Sequence, residues 1–284
     1  MPAHDLEDLR AFRTALHDCF HRRADALFEL TDALLAAESV TSLPHLSLQA
    51  AHRRGWGSLY DALAEGHLDV AALRTLLTRH VVSEEHPVYA IDRSVWSRCD
   101  AEGSPERGYY YHPSRHSAGQ PIVAGWAYQW LAQLSFTRDS WTTPLDVQLD
   151  VQRVHPRQNA NAVAVAQITE LLGRLAPGGA PPLIVFDAGY DSVQLTQGLA
   201  PLPVAVLVRL RAGRCFYADP PPSVPSPQGG RPRTHGAKFT CADPATWPGP
   251  SAEHLAADKQ YGSVRVRLGG AASQASRPPG SQHS

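Results

Sequence analysis

Apolar residues recur at three- and four-residue steps through Leu6, Leu9, Phe12, Leu16, Phe20, Leu27, Leu30 and Leu34, with Ala24 bridging a gap. That spacing predicts an amphipathic helical stripe. Thr41-Ser-Leu-Pro44 breaks it. Shorter helical segments are predicted at Trp56–Ala64 and Leu68–Leu77, parted by Gly66. Residues 1–85 therefore form a predicted α-helical region. A helix-turn-helix could be built from these segments, but a plain helical bundle fits their charge better.

From His86 the pattern changes. Val88-Tyr-Ala-Ile91 is a short apolar run ending at Asp92, and Gly108–Tyr111 is aromatic and β-prone. From Pro121 onward, Ile122 to Leu131 is apolar at alternating positions of both parities, as in a strand covered on both sides. On that reading Trp126, Trp130 and Trp141 belong to the core. Asn161–Leu175 reads as a helix with Val163, Ala166, Ile168, Leu171 and Leu172 on one side. A Pro/Gly turn, Ala176–Pro182, leads into Leu183-Ile-Val-Phe186 and then Asp187. Further strands are predicted at Val204–Leu210 and Ser263–Arg267. Strands interspersed with helices imply an α/β (α+β) domain over residues 86–267. Residues 218–233 carry six prolines and read as an extended surface excursion. Residues 268–284 hold one large apolar residue, Leu268, and are expected to be disordered.

Composition narrows the classes. A chain of 284 residues, 43% hydrophobic and 19% charged, can bury a real core. Cys19, Cys99, Cys215 and Cys241 form no CxxC pair, which suits reduced thiols and a cytoplasmic location. No apolar run approaches the roughly 18 residues of a membrane helix. A membrane protein and a secreted disulfide scaffold are thus disfavoured. The formal net charge of −1 divides unevenly: residues 1–85 hold eight Arg and thirteen Asp/Glu, whereas residues 86–284 hold eighteen Lys/Arg and fourteen Asp/Glu. The front is acidic (−5) and the body basic (+4), which argues against the front as the phosphate-facing surface.

Asp92 and Asp187 each follow an apolar strand. Carboxylates at neighbouring strand ends can share hard divalent cations, and two such ions serve phosphoryl transfer. Taken alone, each Asp reads better as a helix cap or a turn residue. His112-Pro-Ser-Arg-His116 has a zinc-like spacing, but Pro113 opposes a helix there, and a hairpin loop is the better reading. His235 and Cys241 lack partners at zinc spacing and read as structural. Arg209, Arg211, Arg214, Arg231, Arg233 and Lys238 form the densest basic stretch, a candidate phosphate-binding surface. Gly189 beside Asp187 belongs to no phosphate-loop pattern.

Several segments together carry a family resemblance. They are Arg23–Leu34, His52–Leu63, Tyr89-Ala-Ile-Asp-Arg-Ser-Val-Trp96, Pro121-Ile-Val-Ala-Gly-Trp126, Leu183-Ile-Val-Phe-Asp-Ala-Gly-Tyr-Asp191, Gly230–Phe239 and Asp243-Pro-Ala-Thr-Trp247. In this order the chain resembles bacterial DDE transposases of the IS701-like type. The resemblance implies a ribonuclease H-like fold. It also implies metal-dependent cleavage and strand transfer at insertion-sequence ends, on double-stranded DNA (terminal repeats and target). Asp92 and Asp187 fall on the first two catalytic, metal-holding acids, for two Mg²⁺ (or Mn²⁺) ions in an intact site. A homodimer is a candidate assembly, and no membrane is implied.

The family's third acid lies in a Tyr-x-x-Arg-x-x-x-Glu-x-x-x-x-x-x-Lys signature that this sequence lacks. Glu253, the only Glu after Asp187, stands in a Pro/Ala-rich connector without the signature. The resemblance therefore implies a shortened, inactive copy. A non-catalytic DNA-binding remnant is the alternative, and another metal-dependent phosphoesterase is a more distant one.

Overall fold

In the computed structural model, residues 3–81, 85–111, 121–134, 147–176, 178–222, 234–258 and 261–269 are described. The front of the chain comprises α1 (Ala3–Asp18), β1 (Phe20–Arg22), α2 (Ala24–Ala36), the one-turn α3 (Leu43–Leu46), α4 (Gly57–Glu65), β2 (His67–Leu68) and α5 (Val70–Arg79). The single stripe expected across Leu6–Leu34 is two helices. Between them Cys19 accepts a hydrogen bond from the Asp69 backbone (2.7 Å), and β1 pairs antiparallel with β2. Arg23 then turns the chain with φ 54°. Local periodicity persists across this break, but a non-local strand pair overrides it. Arg13 rejoins the two helices by a bidentate pair with Asp32 (2.7 and 2.8 Å). Leu30, Ala33, Leu46 and Leu59 close a small core among α2, α3 and α4.

The body follows as β3 (Val88–Ser97), β4 (Gly108–Tyr111), β5 (Ile122–Leu134), β6 (Val147–Val154), α6 (Ala160–Leu172), β7 (Leu183–Phe186), α7 (Ser192–Leu199) and β8 (Ala205–Val208). These strands form one sheet, in which β4 and β6 share the outer edge of β5. β5 pairs antiparallel with β3, and β3, β7 and β8 run parallel. With β6 outermost, the order β6-β5-β3-β7-β8 is the ribonuclease H-like arrangement, here preceded by the helical region.

Alternation along the strands decides which face is covered. Tyr89, Ile91, Leu131, Leu149, Ile184 and Phe186 point to α6 and α7, where they meet Ala164, Ile168, Leu171, Leu195 and Leu199 in the main core. The buried face of α6 is Ala164, Gln167, Ile168 and Leu171, not the face through Val163 and Ala166. On the opposite sheet face Trp96 (52%), Tyr109 (80%) and Trp130 (39%) are exposed among the described residues. β5 is therefore open on this face at Trp130, but covered on both sides further along, where Leu131 and Ala132 are both buried. Trp126 and Trp130 are not core residues: Trp126 is half-buried with its indole N–H on the Pro105 carbonyl, and Trp130 donates to Ser94 Oγ (2.7 Å). Trp141 lies outside the described residues.

Among the described residues the remaining elements are two antiparallel strand pairs, β9 (Cys215–Tyr217) with β10 (Lys238–Thr240) and β11 (Pro250–Asp258) with β12 (Gly262–Gly269), and a 3-10 turn at Pro244–Thr246. Glu253 thus lies in a strand rather than a connector. The proline-rich stretch has no regular element over residues 218–222, and residues 223–233 lie outside the described set. Of the tail expected to be disordered, Leu268 and Gly269 complete β12, and residues 270–284 lie outside the described set.

Candidate active site

Asp92 does not end its strand. β3 continues to Ser97, and Asp92 occupies its fifth position, opposite Trp130 of β5. What ends at Asp92 is the pairing with β7, whose last register pair is Ile91↔Phe186. One step further, in the same parallel register, stand Asp92 and Asp187. Neighbouring strands lie about 4.8 Å apart, so the two aspartates occupy neighbouring backbone positions. The carboxyl ends of parallel strands are where open α/β sheets build their sites.

Both carboxylates are exposed. Asp187 Oδ1 accepts the Gly189 backbone N–H (2.8 Å), and Asp92 Oδ1 accepts the Arg93 N–H (2.8 Å). Asp187 thus serves as a turn residue while remaining open to solvent. Among the described residues neither acid has an ion-pair partner.

Behind them Tyr190 is buried, its ring 5.1 Å from that of Phe186 and its hydroxyl on Gln129 Oε1 (3.1 Å). Burial pushes the Tyr190 phenol well above its ordinary value; the charge of Asp92 pushes it further, Arg93 opposes, and Asp187 adds the smallest upward push. The phenol is therefore neutral at any ordinary pH. Asp191 caps α7 by accepting the Val193 and Gln194 N–H groups (2.9 and 3.1 Å).

The basic stretch divides. The Arg209 backbone N–H is bonded to the Phe186 carbonyl (3.0 Å), and Arg211 Nε donates to the Ala188 carbonyl (3.0 Å). Arg214 pairs with Asp191 at 3.8 Å. Arg211 and Arg214 line a depression of about 410 Å³ with Ala188, Gly189, Tyr190 and Asp191, beside Asp187. Lys238 is exposed on β10, and Arg231 and Arg233 lie outside the described residues, as do His112 and His116. His235 packs against Tyr217 (4.9 Å between ring centres). The Cys241 backbone N–H donates to the Arg214 carbonyl (2.9 Å). A larger cavity, about 600 Å³ and lined by Val81, Pro87, Leu175 and Pro182, opens at the other end of β3 and β7, away from the acids.

A model of the DDE superfamily endonucleases matches residues 15–273. The chain belongs to that family. No individual curated protein matches it. Members of this superfamily act as transposase-like nucleases on DNA and generally use divalent metal ions. Two adjacent, exposed carboxylates fit the oxygen preference of such an ion. Among the described residues no third His, Cys, Asp or Glu joins them. Glu253 is engaged elsewhere, pairing with Arg265 and Arg267 at 3.1 Å each across its own hairpin.

Sequence reasoning missed Tyr190, Gln129, Gln167, Asp150 and Arg74. A signal was present: Gln129 and Gln167 interrupt apolar faces, where a buried amide needs a built partner.

Proposed function

We propose that this DDE endonuclease belongs to the IS701-like transposases and that Asp92 and Asp187 are its metal-holding acids, directed at phosphodiesters of duplex DNA. The reading is carried by their adjacency in the β3–β7 register, one step past Ile91↔Phe186. Bound Mg²⁺ or Mn²⁺ would supply activation of the attacking oxygen and charge stabilisation at the leaving one. The chain itself supplies the rest. β3 and the turn after β7 orient the two carboxylates. Arg211 and Arg214 offer positive charge to a phosphate beside Asp187. The neutral Tyr190 phenol closes the floor and keeps water from behind the acids.

A non-catalytic DNA-binding form of the same fold is favoured by a separate observation: Glu253, the one Glu after Asp187, is paired within its hairpin. On this reading the chain binds DNA but neither holds metal well nor cuts. Supercoiled plasmid incubated with the protein in Mg²⁺ or Mn²⁺ distinguishes the two. Nicking that Asp92→Asn abolishes identifies an active endonuclease. Salt-sensitive duplex binding without nicking identifies the binding form. Absence of both DNA binding and nicking contradicts the proposal.

A further inference from the structure

The turn that carries Asp187 is anchored from beneath the sheet. Tyr190, three residues on, keeps its backbone N–H near the Asp187 carbonyl (3.5 Å) and sends its hydroxyl to Gln129 on β5. Gln129 stands opposite Arg93, the neighbour of Asp92. One buried hydrogen bond therefore joins the Asp187 turn to the strand pair that holds Asp92.

The bond continues inward. Gln129 Nε2 donates to Gln167 Oε1 on α6 (2.8 Å), and Gln167 Nε2 donates to Asp150 Oδ2 on β6 (3.0 Å). Asp150 also accepts Gln152 Nε2 (3.0 Å) and Arg74 Nε from α5 (2.7 Å). Arg74 reaches Glu170 as well (3.0 Å). Turned over, the Gln129 amide would donate to Tyr190 Oη and the Ala160 carbonyl and accept the Ala164 N–H, with its oxygen facing that of Gln167 at 2.8 Å; the link to Tyr190 is kept in both orientations, and Gln167 Nε2 also reaches the Gln129 backbone carbonyl (3.4 Å). Gln129 and Gln167 are fully buried, at 0% and 1% exposure. Apolar side chains would fill this space without the cost of desolvating amides, so stability alone does not account for the polar chain. Its members must hold one arrangement, because each buried group left without its partner is costly.

We propose that Tyr190 is a positioning residue. Through Gln129, Gln167 and Asp150 it fixes the separation of Asp92 and Asp187 and ties it to the seating of Arg74, and so of the helical region, on the sheet. The inference rests on the reading of Asp92 and Asp187 as metal ligands.

Mn²⁺ titration of the full chain, followed by electron paramagnetic resonance of the free ion, tests it. Tyr190→Phe and Arg74→Met are each expected to weaken Mn²⁺ binding about tenfold, as loss of outer-shell partners does. Leu59→Ala, in the separate helical core, is expected to lower Tm at least as much and leave Mn²⁺ affinity unchanged. Wild-type affinity in Tyr190→Phe and Arg74→Met, with Asp187→Asn impaired, overturns the positioning role alone. So does a loss shared by Leu59→Ala. Unchanged binding in Asp92→Asn and Asp187→Asn removes the metal reading itself, and the inference with it.

Discussion

Asp32 illustrates how a single side chain sets the pH response of the helical region. Its bidentate bond to Arg13 holds the carboxyl below its ordinary value, against a smaller desolvation effect. A depressed carboxylate stabilises the fold above its unfolded-state value, and that stabilisation is lost as pH falls through the lowered folded value. With Arg13 more than a third exposed, solvent screening keeps the contribution modest. Asp32→Asn is expected to cost about 0.5–1 kcal/mol near neutral pH. The difference from wild type should shrink on acidification. Thermal melts across a pH series check this, and a gap independent of pH would contradict it. At the same scale, Asp92 and Asp187 stand out in the sequence as candidates because each follows an apolar run. The apolar run stops at Ile91 because β3 has β7 beside it only up to that residue, although the strand itself goes on. Gln129 and Gln167 could be marked as polar breaks in apolar faces, but not as partners, since they lie 38 residues apart.

Among the elements, those with local determinants were read well. β7 matches its expected bounds, and α6 begins within one residue of expectation, just after Asn159, whose side chain caps it. The break between α1 and α2 was hidden, since it depends on β2 some 45 residues later. β6 alternates apolar and polar positions at Val147, Leu149 and Val151, a usable strand signal that the sequence reading passed over. β11 was obscured by its Pro and Ala content, and its register with β12 commits Glu253 to Arg265 and Arg267. Glu253→Gln should therefore leave Mn²⁺ affinity at the wild-type level while loosening the hairpin. A tenfold weaker affinity would instead place Glu253 in the metal site.

For the whole molecule, the near-neutral total charge conceals a division of labour. The acidic helical region docks through Arg74 onto Asp150 and Glu170. The basic residues Arg211 and Arg214 gather on the sheet's other flank, beside Asp187. No helix among the described residues is long and apolar enough to cross a membrane. Fold and family were both foreshadowed by ordered segments spread along the chain, whereas the wiring from α5 to the acids needed three dimensions. The central claim is that Asp92 and Asp187 act together on one divalent-cation site. Calorimetric Mn²⁺ titration of the wild type, Asp92→Asn and Asp187→Asn tests it most directly. The account predicts saturable binding by the wild type and a loss of at least about tenfold in each variant; identical isotherms for all three proteins would contradict it.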